Sequence, residues 1–106
     1  MKTSYTPEAP QRAEIDALPG SVLLEFGANW CGHCMAAQQP LAQAYAGHAD
    51  VAHYKVEDGP GRPLGRSFRV KLWPTLIFLR DGQEVARLVR PLNADDLSAA
   101  FALIER

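Results

Sequence analysis

From Ser21 to Ala28 the chain is a nearly unbroken apolar run, interrupted by one charge at Glu25, bounded by turn signals and too short for a helix. That pattern predicts a central strand buried on both faces, which needs helices packed above and below it. Just beyond it stands Trp30-Cys31-Gly32-His33-Cys34, and Met35 to His48 then carries Ala37, Leu41, Ala44, Tyr45 and His48 at helical spacing. The only two cysteines of the 106-residue chain therefore fall at a strand–helix junction, separated by two residues. A strand that delivers a Cys-x-x-Cys pair to the start of a helix is a thiol–disulfide exchange site in outline.

The remaining segments fit a layered fold around that strand. Lys2 to Thr6 reads as a short edge strand. Pro7 through Leu18 reads as a helix, with Ile15 and Leu18 inward and Glu8, Arg12, Glu14 and Asp16 outward. Pro10 costs little near its start, and Pro19-Gly20 ends it. Pro40 removes one backbone hydrogen bond from the next helix and is expected to kink it, and Gly47 to end it. Asp50 to Glu57 reads as a strand, residues 58–61 as a turn, and Pro63 to Val70 as a short helix with Leu64, Phe68 and Val70 inward. Pro74 to Leu79 and Glu84 to Val89 read as two strands joined at Asp81-Gly82. Asn93 is a good N-cap for a last helix whose inner stripe is Leu97, Ala100, Phe101 and Ile104. This order predicts an α/β fold in one domain over residues 1–106, a mixed central β-sheet flanked by helices on both faces.

Charge and hydropathy narrow the function. A formal net charge of -1 lacks the positive excess that general nucleic-acid or membrane-surface binding needs. No window approaches the run of about 18 apolar residues expected of a membrane helix. The first residues, Met1 to Glu8, lack the apolar core of a secretory signal. A cytoplasmic, reducing location is therefore expected, where a cycling or metal-bound cysteine pair is more usual than a permanent disulfide. Arg62, Arg66, Arg69, Lys71, Arg80, Arg87 and Arg90 read as a solvated face, with docking of an acidic partner as the sharper alternative. His48 and His53 read as structural or exposed residues rather than ligands.

The order of elements, Trp30-Cys31-Gly32-His33-Cys34 at a helix start and Trp73-Pro74-Thr75 opening the later hairpin together resemble the thioredoxin family, over essentially the whole chain. Gly32-His33 is the dipeptide typical of protein disulfide isomerase domains, where many thioredoxins carry Gly-Pro. The resemblance implies a thioredoxin fold and a protein-disulfide oxidoreductase that reduces or exchanges disulfides in other proteins. It implies a redox centre made of Cys31 and Cys34 alone, with no organic cofactor and no metal. Electrons would come from a thioredoxin reductase or another thiol donor.

Only a thiolate attacks a disulfide, and the unpaired N–H groups and dipole at a helix start favour negative charge on Cys31. Cys31 is thus expected to form the mixed disulfide, and Cys34, one turn on and more buried, to attack it and release the reduced substrate. His33, on the exposed side of that turn, would as an imidazolium stabilise the reduced form and make the disulfide a stronger oxidant. Glu25 lies among Val22, Leu23, Leu24 and Phe26, where a charge is costly unless paired or protonated. By resemblance it is the acid that relays the resolving cysteine's proton, with Lys55 as its partner. Pro74 is by resemblance a cis-proline that offers the backbone of Trp73 to an extended substrate. Trp30, Trp73, Pro74, Thr75 and Arg90 make up the implied substrate-binding set.

Three departures from the family pattern bear on substrate. Gly27 stands where many thioredoxins have a tryptophan, which removes one wall of the site. Val89-Arg90-Pro91-Leu92 replaces the usual glycine of the substrate groove, so that Arg90 narrows the groove or favours acidic partners. Pro40 falls one residue later than the usual helix proline. The rival readings are a disulfide oxidase or isomerase, a non-catalytic thioredoxin-fold binding module, and a metal site. The last would require His33, His48 or His53 to converge on the two cysteines.

Overall fold

β1 (Ser21–Gly27) is buried along all but its first residue, as its apolar run requires. The computed structural model describes residues 1–105. Around β1 lie α1 (Arg12–Asp16), α2 (Gly32–Tyr45), β2 (Ala52–Glu57), α3 (Pro63–Ser67), β3 (Thr75–Arg80), β4 (Gln83–Val89) and α4 (Ala94–Ile104). The sheet order is β2-β1-β3-β4. β1 and β2 run parallel through the α2 crossover, while β3 pairs antiparallel with both β1 and β4. On one face, Leu23, Leu76 and Phe78 of the sheet pack with Leu41, Leu97, Phe101 and Ile104 from α2 and α4. On the other, Val22, Leu24, Phe26, Ile77 and Leu79 pack with Ile15, Leu64 and Phe68 from the α1 and α3 side. Each such Leu or Phe contributes about 1.5–3 kcal/mol by leaving water. The mixed sheet with helices on both faces is as expected. No helix among the described residues is long and apolar enough to cross a membrane.

Four expected elements differ most from their expected extents, three of them for a local reason. Lys2 to Thr6 is not a strand. It makes a single bridge, Thr6 to Val56, because Pro7 has no N–H with which to extend the ladder. The first helix is five residues long rather than twelve, since the residue before a proline avoids helical geometry and Pro7 and Pro10 follow one another closely. It starts only after Gln11, whose N–H is taken by the Glu14 side chain at 3.1 Å. α3 stops at Ser67, three residues early. Arg69 adopts a left-handed φ of 59°, and the N–H groups of Arg69 and Val70 turn back to the carbonyls of Arg66 and Gly65, each at 3.0 Å. This is a Schellman closure with arginine where glycine is usual. α2 begins three residues before the expected start and ends at Tyr45 rather than His48, and Pro40 stays inside it.

The turn chemistry holds as read. Asp81 (φ 50°) and Gly82 (φ 79°) are both left-handed, the geometry of a tight two-residue hairpin. Asn93 caps α4 by accepting the Asp96 N–H at 2.9 Å.

Candidate active site

Cys31 occupies the capping position of α2, and its sulfur accepts the backbone N–H of Cys34 at 3.3 Å. A serine or aspartate oxygen makes this contact at ordinary helix starts, and the helix end favours negative charge on whichever atom makes it. Cys31 keeps 8% of its surface exposed and Cys34 only 1%, so Cys31 is the cysteine a partner can reach. Both are free thiols. Burial, then the neighbouring Cys31 sulfur, pushes the Cys34 thiol up to about 11, so it holds its proton at neutral pH. His33 lies exposed in the same turn, as expected.

Behind Cys34 is a buried polar cluster centred on Glu25. Strand alternation sets Leu23, Glu25 and Gly27 on one face of β1, and the parallel register pairs Leu23 with His53 and Glu25 with Lys55. Both basic residues of β2 therefore share the carboxylate's face. The Lys55 ammonium lies 3.3 Å from Glu25 Oε2. His53 Nδ1 accepts the Lys2 backbone N–H at 3.0 Å, which leaves the ring hydrogen on Nε2 to be donated to Glu25 Oε1 at 2.8 Å. Oε2 also accepts from the Tyr5 hydroxyl at 2.5 Å and from Gln38 Nε2 at 3.1 Å. Gln38 ties the cluster to the helix, because its amide also donates to the Cys34 carbonyl at 2.8 Å while its Oε1 accepts from Lys55.

Burial pushes the Glu25 carboxyl up, but the His53 hydrogen bond, the Lys55 charge and the Tyr5 hydroxyl outweigh it and hold the group below the ordinary carboxylate range. Of the two ways to tolerate a charge in that strand, the protein uses pairing. His53, expected to be merely structural or exposed, is a buried member of this cluster. Its position two residues before Lys55 on a strand paired with β1 is the signal that would have found it. Gln38 is likewise visible as the residue one helical turn beyond Cys34.

Tyr5 corrects the expectation at Gly27. The wall thought to be missing at Gly27 is supplied by this residue from the N-terminal segment. A Cβ on Gly27 would stand 2.5 Å from Cys34 Sγ and 2.7 and 2.8 Å from Tyr5 Cζ and Oη, so only glycine admits the ring here. Asn29 clips the segment in place, accepting the Tyr5 N–H at 2.8 Å and donating to its carbonyl at 3.1 Å. Lys55 lies over the Tyr5 ring at 4.4 Å from its centroid.

At the edge expected to dock a substrate, Arg90 of the chain itself lies against the backbone of Trp73. The Trp73–Pro74 peptide is cis, and Trp73 packs against the cluster of Tyr5, Ala28, Cys31 and Cys34. Its indole donates to Asp58 at 2.8 Å, and Trp30, 75% exposed, meets it edge-on with ring centroids 5.6 Å apart. Arg90 takes a left-handed φ of 53°, donates its backbone N–H to the Pro74 carbonyl at 3.0 Å and its Nε to the Trp73 carbonyl at 2.9 Å. Thr75 is a correction. It is buried, and its hydroxyl donates to the Leu72 carbonyl at 2.6 Å, so it shapes the loop instead of facing a partner. His48 stacks on Phe101 and reaches Glu105, and among the described residues no three His, Cys, Asp or Glu side chains converge as metal ligands.

Known proteins resemble this arrangement closely. The family model described as Thioredoxin matches residues 5–102. The solved structure of thioredoxin 2 from Pseudomonas aeruginosa PAO1 in its reduced form is 61% identical, with a TM-score of 0.87 over 98% of this chain and 97% of that one. Thioredoxin H2-1 of Oryza sativa subsp. japonica is 38% identical over 69 residues, 64% of this chain and 49% of the relative. Protein disulfide-isomerase A2 of Pongo abelii is 41% identical over 66 residues, 58% of this chain and 13% of the relative. The chain thus spans about half the length of the first of these two curated relatives and a small part of the second.

Proposed function

This chain belongs to the thioredoxin family, and from that premise we propose that it is a thiol–disulfide oxidoreductase that reduces or exchanges disulfides in other proteins through Cys31 and Cys34. The observation that carries the reading is the asymmetry of the pair. One sulfur is reachable at a helix end, and the other is buried, protonated and backed by a carboxylate.

The Cys31 thiolate attacks one sulfur of a substrate disulfide. The other substrate sulfur leaves with the electron pair of the broken bond and takes a proton from water. Cys34 then attacks the Cys31 sulfur, loses its proton and expels the second substrate sulfur as a thiolate. The products are a reduced substrate and a Cys31–Cys34 disulfide. A dithiol donor, by family analogy a thioredoxin reductase, returns the two electrons, and no organic or metal cofactor is needed. A reducing, cytoplasmic setting suits this direction. Lys55 and Glu25 tune the buried cysteine, and His33 tunes the exposed one. Trp30 and Trp73 with Pro74 offer the docking surface.

A second reading, oxidase or isomerase, draws support from Gly32-His33 and from the likeness to a protein disulfide-isomerase. The potential in glutathione buffers discriminates, since values measured on family members are about -270 mV for thioredoxin and about -180 mV for protein disulfide isomerase. An intermediate value with turnover by a thioredoxin reductase is expected. A value at the isomerase end without such turnover would establish the second reading instead.

Arg90 bears on which substrates dock. Its Nε bonds the Trp73 carbonyl, an acceptor that an incoming strand would otherwise use. Arg90→Gly should free that acceptor and lower KM for a disulfide-bonded protein substrate about two- to tenfold, the worth of one hydrogen bond. A raised KM would mean that Arg90 holds the substrate instead of competing with it.

A further inference from the structure

Any side chain at position 27 would run into Tyr5 and Cys34, so glycine there makes the room that Tyr5 fills against the resolving cysteine. Here the hydroxyl of Tyr5 donates to Glu25 Oε2 at 2.5 Å, and the Tyr5 side chain packs in one cluster with Cys34. Its oxygen and the Cys34 sulfur lie 2.8 and 2.5 Å from one common point, the place a Gly27 Cβ would occupy. Lys55 and the Gln38 amide can only donate to Oε2, whereas a phenol both donates and accepts. We propose that Tyr5 carries the proton of Cys34 to Glu25 while the mixed disulfide is resolved, through a slot that exists because residue 27 is glycine. The proposal rests on the Cys31–Cys34 cycle above.

The step balances as follows. As the Cys34 sulfur bonds to the Cys31 sulfur, the bond from Cys31 to substrate breaks and its electron pair leaves on the substrate sulfur. The Cys34 proton passes to Tyr5 Oη as the phenolic proton passes to Glu25 Oε2, and Glu25 later returns one proton to solvent. Burial, and then the Glu25 charge, keep the phenol far above its ordinary value, so Tyr5 gives up its proton only as it takes another. In the resting dithiol, the Cys31 sulfur helps hold the proton on Cys34. In the mixed disulfide that sulfur is bonded and uncharged, and this opposition is gone. A cavity of about 60 Å³ lined by Tyr5, Cys34, Gln38 and Lys55 adjoins the path, so direct transfer through a water is the competing route.

The test uses glutathione disulfide as the probe and follows release of the second glutathione in a single turnover by rapid quench and mass spectrometry. Tyr5→Phe should slow that release about 10- to 100-fold at neutral pH. Its rate should then climb about tenfold per pH unit, because Cys34 must ionise unaided, while the wild-type profile stays nearly flat. A packing role would lower the rate by one factor at every pH. Equal rates or parallel profiles overturn the relay. On the unaltered protein, rates in mixtures of water and deuterium oxide should bend as two moving protons require, and a straight line overturns it as well. Cys31→Ser and Cys34→Ser in the same assay test the cycle separately. If they behave as the cycle requires while Tyr5→Phe does not, the relay alone is wrong.

Discussion

Cys31→Ser should bring disulfide reduction down to the uncatalysed background, with the fold intact. Serine is a better N-cap than cysteine, so the Cys34 N–H that now meets the Cys31 sulfur at 3.3 Å keeps an acceptor and α2 keeps its start. What disappears is the chemistry, because a hydroxyl does not ionise near neutral pH and a thiolate is the attacking species. The buried thiol of Cys34 cannot substitute, being 1% exposed and pushed up to about 11. Steady-state reduction of a disulfide-bonded protein, paired with a urea unfolding curve, separates the two effects. Lost turnover with an unchanged midpoint is expected, and residual turnover would move the nucleophile elsewhere.

Glu25→Ala should destabilise the protein by about 3–5 kcal/mol, the usual consequence of removing one partner from a buried ion pair. Lys55, itself buried, would be left facing only Gln38 and the Tyr5 ring, and His53 would lose the acceptor of its ring hydrogen. The same cluster sets an acid limit. The folded-state carboxyl lies below its unfolded value of about 4.3, so its stabilisation is present above that pH and is lost as pH falls through the lower, folded value. Urea unfolding at neutral pH and in the acid range should therefore give a smaller acid loss for Glu25→Gln, which cannot titrate, than for the wild type. Identical pH profiles would show that the carboxylate is not held in its charged form by folding.

These expectations draw on residues that the sequence reveals very unequally. Glu25 and Lys55 are legible because a charge inside an apolar strand demands a partner, and the parallel register supplies it directly opposite. The cysteines are legible from their place between a strand and a helix. The hairpin at Asp81-Gly82 and the cap at Asn93 follow from local turn chemistry, which needs no tertiary information.

Other features depend on what lies across the fold. Tyr5 is 20 residues from Glu25 and fills a gap that Gly27 leaves, so its importance is invisible until the N-terminal segment is seen to run beside β2. His53 looks like any strand histidine until the Lys2 N–H fixes which nitrogen faces the carboxylate. The early end of α3 reflects an arginine in a conformation usually left to glycine, which no propensity anticipates. Arg90 is a visible departure from the family pattern, but its bond to the Trp73 carbonyl needs the folded loop.

The central claim is a division of labour between the two cysteines, and Cys34→Ser tests it most directly. Incubated with glutathione disulfide and analysed by intact-mass and peptide mass spectrometry, this variant should accumulate one glutathione on Cys31 and retain it until a dithiol is added. Wild type should pass through the same adduct to the Cys31–Cys34 disulfide. A Cys34→Ser protein that forms no adduct on Cys31, or that releases it as fast as wild type, would contradict the account.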